Sequence, residues 1–250
     1  MLLDASESQL VLVDYQERLM PVIHDAQATL ANALRLARLA RLMEVPVWGT
    51  EQNPSRLGPN DAQLRALCKD TLAKMHFSAA EEGLGEWLRP PAKPPAGNAR
   101  SLPKHLQKTA QQAPERNAIV IAGCEAHVCL LQTALGLLED EFEVWVVTDA
   151  CSSRTERNRD AAYDRLAGAG CELVTTEMVG FEWLRDCEHP RFKALHNDIR
   201  ECQEMSRLAN EPQCMSLEGV TGAGKSTLVQ DYAALFPRVE NSDGTRIPVP

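Results

Sequence analysis

Short apolar runs that stop at polar residues alternate with stretches of helical period from residue 9 to about 184, and this alternation leaves few folds open. QLVLVD (9–14) is followed by TLANALRLARLARLME (29–44), in which Leu30, Ala33, Leu34 and Ala37 fall on one helix face. VPVWGT (45–50) and TLAK (71–74) are further strand candidates, and AIVIAG (118–123) is the strongest strand in the chain. It leads into HVCLLQTALGLLED, where Val128, Leu131, Leu135 and Leu138 share a helix face. FEVWVVTDA (142–150), a polar-faced helix closed by Gly170, CELVTT and EMVGFEWL complete the series. Strands separated by helices of 10–15 residues predict βαβ units and a parallel sheet covered on both faces.

Two stretches break the pattern. RPPAKPPAGNARSLP (89–103), with five prolines, reads as an exposed loop. CEHPRFKALHNDIRECQEMSRLANEP (187–212) reads as a polar helical connector, after which a new strand–loop–helix begins at Cys214. The expected division is therefore a main domain over 1–189 and a tail over 190–250.

Charge and composition exclude some functions. The net charge is −9, and residues 190–250 hold 8 acidic and 7 basic side chains without a basic stripe, so nucleic acid is not an expected partner. No apolar run approaches the ~20 residues of a membrane span, and the N-terminus lacks the features of a signal peptide. A cytoplasmic protein is expected, with its eight cysteines as reduced thiols. No cysteine or histidine cluster has zinc-site spacing, so no metal is expected.

In a parallel α/β sheet, chemistry gathers at the carboxyl ends of the strands. Asp14 closes the first run, Lys74 closes the third, and Cys129 follows the fourth in GCEAHVC, where strand turns into helix. A thiol is mostly protonated at neutral pH and needs activation. An ammonium and a helix N-terminus favour its thiolate, while a carboxylate can accept its proton. None of the three residues is informative alone, because buried cysteines are usually inert, aspartates often end strands, and lysines are usually solvated. Their shared position at strand ends makes the case.

LVDYQERL, KMHFSA, AGCEAHVCLLQTALGLL, VVTDACSSR and TTEMVGFEWL occur in an order that resembles the isochorismatase-like cysteine hydrolases over about residues 9–200. The resemblance implies a Rossmann-like three-layer α/β sandwich with a mostly parallel six-stranded sheet. It also implies Cys129 as nucleophile, Asp14 as base and Lys74 as charge stabiliser, with a cis peptide at Cys124–Glu125. The backbone N–H groups of Glu125 and Cys129 would form the oxyanion hole. Gln52, Phe77 and His127 are candidate substrate-lining residues. The nicotinamidase branch carries an Asp-x-His metal motif where this chain has GTEQNPSRLG, which argues against metal-assisted chemistry. Isochorismatase itself works without the cysteine. The expected reaction is hydrolysis of a small amide or related acyl substrate through a thioacyl intermediate, without a cofactor, in a protein that self-associates.

The sharpest motif lies elsewhere. GVTGAGKST (219–227) is a phosphate-binding loop, with Gly219, Gly222 and Gly224 permitting the backbone cradle. Lys225 would reach the phosphates, and Ser226 with Thr227 would stand by the Mg²⁺ of a bound ATP. CMSLEG before it and KSTLVQDYAALF after it supply the strand and helix that the motif requires. Residues 189–250 resemble the start of transposon helper ATPases of the TniB type, making the tail a helix–strand–P-loop–helix fragment. The later acid, sensor and arginine finger of such ATPases have no counterpart, so the tail is expected to be a vestige that binds nucleotide weakly or not at all. A rival reading makes that tail a transposition helper and the first domain its scaffold. Another makes the first domain a silent binding module.

Overall fold

The computed structural model describes residues 2–90 and 116–193. The chain divides into two units, Met1–Val179 and Gly180–Pro250, and the whole sheet belongs to the first. The expected P-loop fragment, with Gly219, Gly222, Gly224, Lys225, Ser226 and Thr227, lies outside the described residues.

Six strands form one sheet: β1 (Ser8–Val13), β2 (Val47–Gln52), β3 (Asp70–Lys74), β4 (Ala118–Gly123), β5 (Glu143–Val147) and β6 (Glu172–Val174). Their order is β3-β2-β1-β4-β5-β6 and every pairing is parallel. The expectation of a mostly parallel sheet is thereby sharpened to an all-parallel one. β1, β2 and β4 are buried along their whole length, which is why they read as near-continuous apolar runs.

Among the described residues, six α-helices lie between these strands, α1 (Ala26–Leu42), α2 (Pro54–Leu57), α3 (Ala62–Leu67), α4 (Leu84–Leu88), α5 (Leu131–Glu139) and α6 (Glu156–Ala169), and α7 (Thr176–Leu184) follows the last strand. The chain steps from β1 to β3 in one direction and from β4 to β6 in the other. Right-handed crossovers therefore put α1 and α3 on one face and α5 and α6 on the other, and each pair packs together. The direction reverses between β1 and β4, and a crevice opens at the carboxyl ends of such a pair. No described helix is long and apolar enough to cross a membrane.

The helix faces differ from the sequence expectation. In α1 the buried residues are Thr29, Ala33, Leu36, Ala37, Leu39 and Ala40, whereas Leu30 and Leu34 are only half-buried. In α5 the buried set is Leu131, Thr133, Ala134 and Leu137, with Leu135 and Leu138 half-buried. In each helix the buried face thus keeps part of the expected set, Ala33 and Ala37 in α1 and Leu131 in α5, and takes in other residues, Leu36 and Leu39 in α1 and Ala134 and Leu137 in α5. EMVGFEWL is helical, within α7.

Candidate active site

Asp14 follows the last residue of β1 with φ 55°, a left-handed conformation that aspartate tolerates better than most residues. That turn leaves its side chain wholly buried. Oδ1 accepts a hydrogen bond from Thr50 Oγ1 at 2.7 Å, and Oδ2 accepts one from Lys74 Nζ at 2.8 Å. Lys74 ends β3, two strands away, and its side chain is 0 % exposed. A charge taken out of water this completely needs a partner of opposite sign and further hydrogen bonds.

Lys74 has both. Beyond Asp14, its Nζ donates to Gln52 Oε1 at 2.7 Å and to the Phe77 carbonyl at 3.1 Å, with the His76 carbonyl at 3.5 Å. Gln52 is the last residue of β2 and pairs in register with Lys74, so the two side chains leave the same face of the sheet. Gln52 is itself held from three sides. Its Nε2 donates to the Met75 carbonyl at 2.8 Å, and its backbone N–H donates to Gln16 Oε1 at 2.8 Å. Its carbonyl accepts from Gln16 Nε2 at 3.0 Å.

Cys129 arrives from the other side of the switch point. β4 ends at Gly123, where an added Cβ would overlap the Val13 carbonyl oxygen, so only glycine lets β4 pass this close to β1. The Cys124–Glu125 peptide is cis, as the resemblance implied. Ala126–Leu130 then form a π-helical turn that carries Cys129 and runs into α5. Cys129 is 6 % exposed, and its Sγ lies 3.9 Å from Gln52 Oε1. Its thiol is pushed up to about 12, first by burial and then by the negative charge of Asp14, and the Lys74 ammonium opposes this only in part. The charges of both Asp14 and Lys74 act on the thiol, in opposite directions. Burial and the Asp14 charge thus act against the Lys74 ammonium at the resting thiol.

The other expected residues divide. Glu125 is buried, and its Oε2 accepts from the Arg154 backbone N–H at 3.0 Å and from Arg154 Nε at 2.9 Å. The Glu125 N–H meets no acceptor among the described residues. His127 is half-buried, with Nδ1 at 3.0 Å from Ser153 Oγ and Nε2 at 3.4 Å from Asn158 Nδ2. The Phe77 side chain is 52 % exposed, and it is the Phe77 carbonyl that meets Lys74. Thr50 and Gln16 escaped the sequence reading. A period of two along β2 would have found Thr50, since Thr50 and Gln52 project to the same side. Among the described residues, no group of three or more histidine, cysteine or carboxylate side chains could hold a metal ion.

Known proteins share this arrangement of strands. The isochorismatase domain model matches residues 102–178. Isochorismatase domain-containing protein 2 of Homo sapiens is 34% identical over 194 residues, covering 78% of this chain and 83% of that protein. Its Rattus norvegicus counterpart is 32% identical over 194 residues, with 78% and 81% covered. The solved MAR1 ribonuclease of Caenorhabditis elegans superposes with a TM-score of 0.68 at 25% identity, covering 88% of this chain and 100% of that one. The YcaC gene product of Escherichia coli, an octameric hydrolase of unknown specificity, gives a TM-score of 0.66 at 25% identity, with 84% and 97% covered. With this sheet order and relatives matched over most of their length, the chain belongs to the isochorismatase-like hydrolase family.

Proposed function

We propose that the chain hydrolyses a small amide or related acyl compound, with Cys129 as nucleophile, Asp14 as general base and acid, and Lys74 as charge stabiliser. The observation that carries this reading is the buried Asp14–Lys74 pair, 2.8 Å apart, with the Cys129 sulfur 3.9 Å from the Gln52 oxygen that also accepts from Lys74. Family membership supports hydrolysis, while the choice of bond rests on the residues.

In this scheme the Cys129 proton passes to Asp14 as sulfur attacks the acyl carbon. The carbonyl π electrons move to oxygen, and the resulting oxyanion takes hydrogen bonds from the Glu125 and Cys129 backbone N–H groups. Collapse breaks the C–N bond, Asp14 returns its proton to the leaving amine, and a thioester remains on Cys129. Asp14 then takes a proton from water, whose oxygen attacks the thioester. The carboxylic acid leaves and the thiol is restored. A group whose thiol is held neutral requires such a base, because a free thiolate would be too scarce to react.

Turnover of an amide, carbamoyl and ester panel by wild type and Cys129→Ala tests the scheme. Loss of at least ~10³-fold in kcat is expected for the variant on whichever substrate is cleaved. Unchanged turnover would reject Cys129 as nucleophile. The ribonuclease name of the nematode relative is not carried over, since a net charge of −9 gives no support for a phosphate-backbone partner. Self-association is part of the proposal, on the strength of the octameric bacterial relative. Sedimentation of the full chain should show an oligomer at micromolar concentration, and a monomer there would reject it.

A further inference from the structure

Lys74 carries three N–H bonds and has three acceptors within 3.1 Å: Asp14 Oδ2, Gln52 Oε1 and the Phe77 carbonyl. The ammonium is saturated before sulfur or substrate is counted. Of the three acceptors, Asp14 is charged and bonds most strongly, and the Phe77 carbonyl belongs to the backbone. Gln52 is the neutral side chain in the set. Its amide cannot rotate freely, because Nε2 is fixed on the Met75 carbonyl and its backbone is clasped on both sides by Gln16. The same Oε1 accepts from the Cys129 thiol, at 3.9 Å. One oxygen therefore draws a proton donor away from the sulfur and also gives the S–H group a place to point.

We infer that Gln52 is a positioning residue that keeps the resting thiol protonated by engaging Lys74, and that the Lys74–Gln52 hydrogen bond must break for the lysine to serve sulfur or substrate. The inference rests on the proposed role of Cys129 and assigns Gln52 a part in that site other than contact with substrate. An acceptor carbonyl beside a sulfur favours the S–H form, and an unengaged ammonium beside it favours the thiolate. Removing Oε1 does both things in the same direction: the thiol loses an acceptor and Lys74 regains a donor. Converting the amide to a carboxylate does the reverse, holding Lys74 harder and setting a second negative charge near the sulfur.

The test is the rate of iodoacetamide alkylation at Cys129, followed by peptide mass spectrometry between about pH 7 and about pH 10 in the full chain. Gln52→Met should react ~100-fold or more faster than wild type near neutral pH, and its pH profile should bend towards a plateau inside that range. Gln52→Glu should react more slowly than wild type. A role confined to packing would alter access alone, raising or lowering the profile without changing its slope. A parallel shift in Gln52→Met, no acceleration, or a Gln52→Glu variant as fast as wild type would each overturn the inference. If Gln52→Met fails to fold, the isosteric Gln52→Glu still decides. The readout is independent of turnover, so a failed Cys129→Ala experiment would remove the proposed reaction without being mistaken for a failure here.

Discussion

The protonation state of Cys129 is settled by competition among burial, Asp14 and Lys74. Desolvation disfavours the thiolate most, Asp14 adds to it, and Lys74 opposes it only in part, leaving the thiol pushed up to about 12. A thiolate population then grows about tenfold per pH unit throughout the neutral and mildly alkaline range. Alkylation of wild-type Cys129 by iodoacetamide should therefore climb with that slope from about pH 7 to about pH 10 without levelling off. A plateau starting below about pH 8 would show a preformed thiolate and would remove the need for Asp14 as base. At this scale the sequence was informative where a polar side chain closed an apolar run, as with Asp14 and Lys74, and where a strand turned into a helix, as at Cys129. It was mute on hydrogen-bond partners. Thr50, Gln16 and the Phe77 carbonyl are ordinary residues or backbone, and their roles depend on distances across three strands.

Elements were legible in proportion to how much of their pattern came from the sheet itself. AIVIAG matches β4 at both ends because it is flanked on both sides by other strands and buried throughout. β2 runs Val47–Gln52 where 45–50 was expected, and that shift of two residues has a chemical consequence. Glu51 and Gln52 look like the polar start of a loop, yet both are buried and partnered, Glu51 by the Asn60 N–H at 2.9 Å and Gln52 by Lys74 and Met75. A strand that ends in satisfied polar residues cannot be told from a loop by hydropathy, although those residues carry the site. Helix faces failed for a related reason. Periodicity in α1 and α5 locates a stripe, but a helix wedged between a sheet and a neighbouring helix has a wide apolar arc, and the centre of that arc is set by the neighbours.

At the scale of the whole molecule, the chain contains one site that is built and one motif that can be judged only from its letters. All six strands, the crevice between β1 and β4, and the Asp14, Lys74 and Cys129 side chains lie between Ser8 and Val174, within the first unit. The strand registers are complete without any residue after Val174. Lys225 lies outside the described residues. We propose that the phosphate-loop motif is a vestige with no part in the proposed hydrolysis. Lys225→Ala in the full chain should leave turnover, and the rate of Cys129 alkylation, within about twofold of wild type. ATP with Mg²⁺ should bind the wild-type chain more weakly than about 1 mM, measured by calorimetry. Binding that is micromolar, needs Mg²⁺ and is lost in Lys225→Ala would show a working nucleotide site and reject the vestige. A fall in turnover in the same variant would go further, because it would tie the two halves of the chain into one function that the sheet alone does not explain.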